Sequence, residues 1–130
     1  MNAVTVDTEP KTIKLQVDAD PRFAAAVGGV ARYVADSAGM ENDAIAQLQA
    51  AVVTACNDAF QLLTPDHPHL TVEISKLSDR LEVVLSCECG SSPGQGKTSL
   101  GGVDRVQHEK QGNIGIIRLT KFINQGAPSR

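Results

Sequence analysis

Four groups of residues in this chain have types and spacings that could do chemistry. In the stretch Ala50-Ala-Val-Val-Thr-Ala-Cys-Asn-Asp-Ala-Phe60, an Asn-Asp pair is set into an otherwise apolar helical pattern. Asp58 offers carboxylate oxygen, which magnesium prefers, and Asn57 beside it faces a different direction on the helix. Thr54 stands four residues before Asp58, so the two share one helix face, but a threonine hydroxyl has no useful basicity near neutral pH. Cys87-Glu88-Cys89-Gly90 brings two thiols and a carboxylate to the start of a loop. Gly94-Gln-Gly96-Lys-Thr98 is rich in the glycines that let backbone donors approach phosphate. His67 and His69 in the loop Thr64-Pro-Asp-His-Pro-His69 are metal-ligand candidates if the fold brings them to the cysteines.

The whole chain limits what those groups can belong to. At 130 residues, 42% hydrophobic and 21% charged, residues 1–130 are expected to form one domain with one core. A formal charge of −3 removes the electrostatic footprint of a nucleic-acid binder. Aromatic residues make up 3% of the chain, too few for base-stacking platforms. No apolar run is long enough for a membrane span, and Met1 to Pro10 lacks the basic and apolar regions of a signal peptide. Three cysteines fit reduced thiols better than a disulfide framework, with Cys56 as a small core residue. The expected compartment is the cytoplasm.

The elements that must position these groups can be read from periodicity. Residues 12–17 alternate, with Ile13, Leu15 and Val17 on one strand face. Asp20-Pro21 opens a helix by N-cap and first-turn proline, with Phe23, Val27, Val30 and Val34 at helical spacing and Gly39 as the stop. A second helix starts near Asn42 or Asp43 and carries Ile45, Leu48, Val52, Cys56, Ala59 and Leu63 on one stripe, ending before Pro65. Residues 70–75 and 81–85 alternate around the turn Ser78-Asp79 as a hairpin whose apolar face the helices cover. Residues 87–102 read as a glycine-rich loop. Residues 103–110 and 114–122 flank Gln111-Gly-Asn113 as a closing hairpin, and residues 1–10 and 126–130 are expected to be flexible. The fold class is α+β: a two-layer α/β sandwich, a mostly antiparallel sheet with helices on one face.

In that order the elements resemble the histidine-kinase-type ATPase fold and, within it, the anti-sigma-factor serine kinase family. The resemblance runs from about Thr12 to Phe122. It is carried by Leu48-Gln-Ala-Ala-Val-Val-Thr-Ala-Cys-Asn-Asp-Ala59, by Arg80-Leu-Glu-Val-Val-Leu85, and by Val103-Asp-Arg-Val106 with Ile117-Arg-Leu-Thr-Lys121. It implies ATP and magnesium as cofactors, Asp58 as the metal ligand, and Asn57, Asp58, Glu88, Gly90, Gly94 and Gly96 as nucleotide-binding residues. It implies a sigma factor or an antagonist domain as partner, and permits a homodimer packed through the first helix, where Ala24, Ala25, Ala26 and Val27 run in succession.

The chain also departs from the family pattern. Thr54 stands where the family has its general-base Glu. Cys87 stands where an Asp reads the adenine amino group, with Glu88 as a displaced carboxylate. Only Ser91-Ser-Pro93 separates Gly90 from Gly94, which shortens the lid over the phosphates. No catalytic residue is assigned, and the expected function is an anti-sigma-like regulator acting by protein binding, with weak or lost ATP binding. The alternative is an active ATP-dependent kinase that phosphorylates a serine of an antagonist protein. A phosphate loop over 91–98 and a Cys87-Cys89 metal or redox site are the lesser readings. Lys110, Arg118 and Lys121 read as a solvated face or as edge protection.

Overall fold

A computed structural model describes residues 11–88 and 101–123. The chain order is β1 (Lys11–Asp18), α1 (Pro21–Ser37), α2 (Asn42–Phe60), β2 (His69–Lys76), β3 (Arg80–Glu88), β4 (Arg105–Gln111) and β5 (Ile114–Phe122). The five strands form one sheet in the order β1-β2-β3-β5-β4, and every neighbouring pair is antiparallel. The α+β class is as expected from the sequence, and the antiparallel character extends to the whole described sheet.

Strand alternation decides which side the helices cover. In β2, Leu70, Val72 and Ile74 are buried; in β3, Leu81, Val83, Leu85 and Cys87 are buried. The register sets Val72 opposite Leu85 and Ile74 opposite Val83, so these rows share one face. They form a single apolar cluster with the buried residues of α1 and α2. Each large aliphatic side chain taken out of water there stabilises the fold by about 1.5–3 kcal/mol. The opposite face carries Lys14, Glu73, Glu82 and Arg118, which pair across strands as Lys14 with Glu73 (3.7 Å) and Arg118 with Glu82 (3.6 Å).

Local chemistry sets the helix ends. The Asp20 carboxylate accepts from the Arg22 backbone N–H at 2.9 Å and, through its other oxygen, from the Arg22 guanidinium at 2.8 Å, with Pro21 opening the helix. α1 stops at Ser37, and Gly39 takes φ 83° while Met40 N–H returns to the Ala35 carbonyl at 3.2 Å. α2 ends at Phe60, short of the stripe expected to reach Leu63. The backbone tightens there: Gln61, Leu62 and Leu63 donate to the carbonyls of Asp58, Ala59 and Phe60.

Three expectations about side chains are corrected. Phe23 is 39% exposed, because the core face of α1 is built from Ala24, Val27, Gly28, Ala31, Val34 and Ala35. Small residues let α1 approach α2 closely; a Cβ on Gly28 would lie 2.6 Å from Val53 Cγ2. The run 24–27 is therefore not one docking face, since Ala24 and Val27 belong to the core while Ala25 and Ala26 are exposed. Arg118 and Lys121 lie on β5, an inner strand, rather than on an edge. Arg118 spans Glu82 and Glu109, and Lys121 reaches Asp104 at 3.7 Å. Lys110, on β4, is at an edge as expected. β4 begins at Arg105 rather than Val103, because Asp104 closes the hairpin: its N–H donates to Thr120 and its carboxylate accepts the Phe122 N–H at 2.7 Å.

Candidate functional site

On α2, Thr54 and Asn57 are half-buried and Asp58 is exposed, two residues before the helix ends. The last carbonyls of a helix carry partial negative charge, so a carboxylate at this point gains from a nearby cation. That is the electrostatic content of the Asp58 position, and Thr54 one turn earlier adds a hydroxyl and no base.

The end of β3 behaves differently from its two-residue sequence signal. Cys87 falls on the helix side of the sheet and is 7% exposed. Glu88, the next residue, falls on the opposite side, where the register sets it across from Ile114. Period-two alternation thus prevents Glu88 from standing in for a carboxylate at position 87 on the helix side. Its oxygen instead meets His67 Nε2 at 3.0 Å. His69 Nδ1 lies 2.8 Å from Asp18 Oδ1. Both imidazoles line a cleft of about 340 Å³ at this end of the sheet, together with Asp66, Thr71, Cys87 and Glu88.

Cys87 shares the lining of this cleft with both histidines, but its side chain falls on the helix side whereas the His67–Glu88 pair falls on the other, and Cys89 lies outside the described residues. Among the described residues, no group of three or more His, Cys, Asp or Glu side chains is placed to hold a metal ion. What the cleft offers is two histidine–carboxylate pairs that tie the loop after α2 to β3 and the start of β2 to β1. The sequence signal for these pairs was only the spacing His67-Pro-His69; the carboxylate partners are distant in sequence and follow from register. Asp58, Asn57 and Thr54 do not line this cleft, so the described residues form two separate groups, one on α2 and one at the sheet end.

Cys89, Gly90, Gly94 and Gly96, together with the loop reading of 91–98, lie outside the described residues. The chain re-enters at Gly101-Gly102 against α2. Gly102 has φ 98°, and any Cβ there would fall onto the Gln47 backbone carbonyl, so the position requires glycine both for conformation and for contact.

Cys56 is fully buried on α2, and burial alone pushes its thiol up to about 12, making it a core residue without reactivity at neutral pH. No described helix is long and apolar enough to cross a membrane. No protein-family model matches the sequence, and no curated protein matches it.

Proposed function

We propose that this chain is a regulatory protein on a histidine-kinase-type ATPase scaffold, of the anti-sigma kind, which acts by binding a protein partner and has weak or lost ATP affinity. The observation that carries the loss is the end of β3. A buried thiol, Cys87, occupies the helix-side position where the resembled family reads adenine with Asp, and the neighbouring carboxylate, Glu88, is turned to the other face and engaged by His67. The second support is Thr54, which removes the general base expected one turn before the metal position. The sheet with two helices on one side is compatible with that scaffold, and analogy of fold supplies the regulatory part of the reading.

Asp58 keeps one element of the intact family, a magnesium-ligating group on an exposed helix end, and among the described residues it is the one that favours the active-kinase alternative. The partner expected is a sigma factor or a small antagonist domain encoded beside this chain. Mixing purified candidates and measuring stoichiometry by light scattering behind size exclusion tests this directly. A defined complex without added ATP supports the proposal. A complex that requires ATP, or transfer of phosphate to a serine of the antagonist, would replace it with the kinase reading.

A further inference from the structure

The helices cover one face of the sheet, and the cleft of about 340 Å³ opens on the other, where Gln16, Thr71, Ser86 and Glu88 lie by alternation. Its centre is a row of uncharged polar side chains on three neighbouring strands: Gln16 stands opposite Thr71, and Thr71 opposite Ser86. At a strand spacing of about 4.8 Å this row spans about 10 Å. Toward the sheet end lie Glu88 and Ile114, opposite one another, and the loop residues Asp66 and His67 complete the lining.

The polar groups of this cleft are not satisfied within the fold. Among the described residues, the side chains of Gln16, Thr71, Ser86 and Asp66 have no hydrogen-bond or ion-pair partner. Carboxylates elsewhere on the same face are matched by permanent cations, Glu73 by Lys14 and Glu82 by Arg80 and Arg118. No lysine or arginine lines the cleft. Glu88 meets only the imidazole of His67, and Asp18 beside the cleft meets only His69. The surface therefore gathers acceptors and negative charge and lacks a permanent cation.

A guanidinium complements it better than an ammonium. It is always charged and carries five N–H donors in a planar fork, enough to reach a carboxylate and hydroxyl oxygens together, whereas an ammonium concentrates three donors at one point. The side chain of Ile114 gives the methylene stem of an arginine an apolar surface to lie along. Free arginine would bring its own carboxylate against the acidic lining, whereas an arginine within a polypeptide would not.

We propose that the open sheet face at this end is a docking surface for a protein partner that inserts an arginine into the cleft, with Glu88 and Asp66 receiving the guanidinium and Thr71 and Ser86 as further acceptors. The inference rests on the reading above only in that the chain binds a protein. It assigns the contact to the face that the helices leave uncovered, apart from Thr54, Asn57 and Asp58 on α2.

Amide chemical shifts of the isotope-labelled full chain, followed during titration with N-acetyl-arginine amide at neutral pH, test the site whatever the partner's identity. Saturable shifts at Thr71, Ser86 and Glu88 are expected, with a Kd of about 1–10 mM. The lysine counterpart should bind about threefold more weakly or worse, and neither the uncharged citrulline counterpart nor free L-arginine should saturate. Glu88→Gln and Asp66→Asn should each weaken binding about fivefold or more, and the glutamine amide can still bond His67 so that the loop stays tied. Asp36→Asn, at an exposed carboxylate on α1, should leave binding unchanged. Absence of saturation overturns the proposal, as does equal binding of citrulline or of free arginine, or an equal loss in Asp36→Asn. A failure here leaves partner binding to its own chromatographic test, and a complex found there that is indifferent to Glu88→Gln overturns this site alone.

Discussion

Cys56 illustrates how far burial alone changes a residue. Its thiol lies within the apolar cluster, and removal from water raises its pKa from the ordinary thiol range to about 12. The folded-state value is above the unfolded one, so the stability this thiol contributes is fully present below about pH 9 and is lost as pH rises toward 12. The slope is at most about 1.4 kcal/mol per pH unit. Denaturant midpoints compared for the wild type and Cys56→Ala between pH 8 and 11 should show the wild type losing more stability. Parallel curves would contradict the assignment. Asp20 has the opposite sign: the Arg22 guanidinium and backbone N–H hold its carboxyl below the usual range. Its contribution is present above about pH 4 and fades as pH falls through the lowered value. Asp20→Ala should therefore lower the melting temperature at pH 7, with the gap closing in strong acid.

Packing between α1 and α2 turns on two adjacent glycines with different surroundings. Gly28 sits in the crossing, where a side chain would meet Val53 and Gln49; Gly29 has nothing within 4 Å of an added Cβ. Gly28→Val is expected to cost about 1–3 kcal/mol through overpacking. Gly29→Ala should stabilise by about 0.5–1 kcal/mol, because alanine loses less entropy in a helix. Chemical denaturation of the two variants should give shifts of opposite sign; a stable Gly28→Val would mean the helices are further apart than described. At this scale the sequence was readable where a local rule acted alone. The Asp20-Pro21 start, the Gly39 stop, and the alternation of β2 and β3 each follow from neighbouring residues. Phe23 fits the helical spacing of Val27 and Val34 but is exposed, because Ala24, Gly28, Ala31 and Ala35 complete the core face instead. The end of α2 was placed late because Leu62 and Leu63 continue the apolar pattern after the backbone has tightened into a turn. The Glu88–His67 contact was not legible at all, since it joins residues 21 positions apart through the return of the chain along the sheet.

For the molecule as a whole, the antiparallel sheet has two helices on one side, and its other side carries cross-strand ion pairs beside Val84, Ile114 and Ile116. Its two groups of candidate residues are separate: Thr54, Asn57 and Asp58 on α2, and the histidine–carboxylate pairs with Cys87 at the sheet end. The proposed loss of nucleotide binding rests on the buried thiol of Cys87, which stands where the resembled family has a base-reading carboxylate.

Isothermal titration with ATP, with and without magnesium and reaching millimolar concentration, tests that claim most directly. The account predicts no saturable, magnesium-dependent heat, and no difference between the wild type and Asp58→Ala. Saturable binding that needs magnesium and disappears in Asp58→Ala would contradict it and establish an intact nucleotide site.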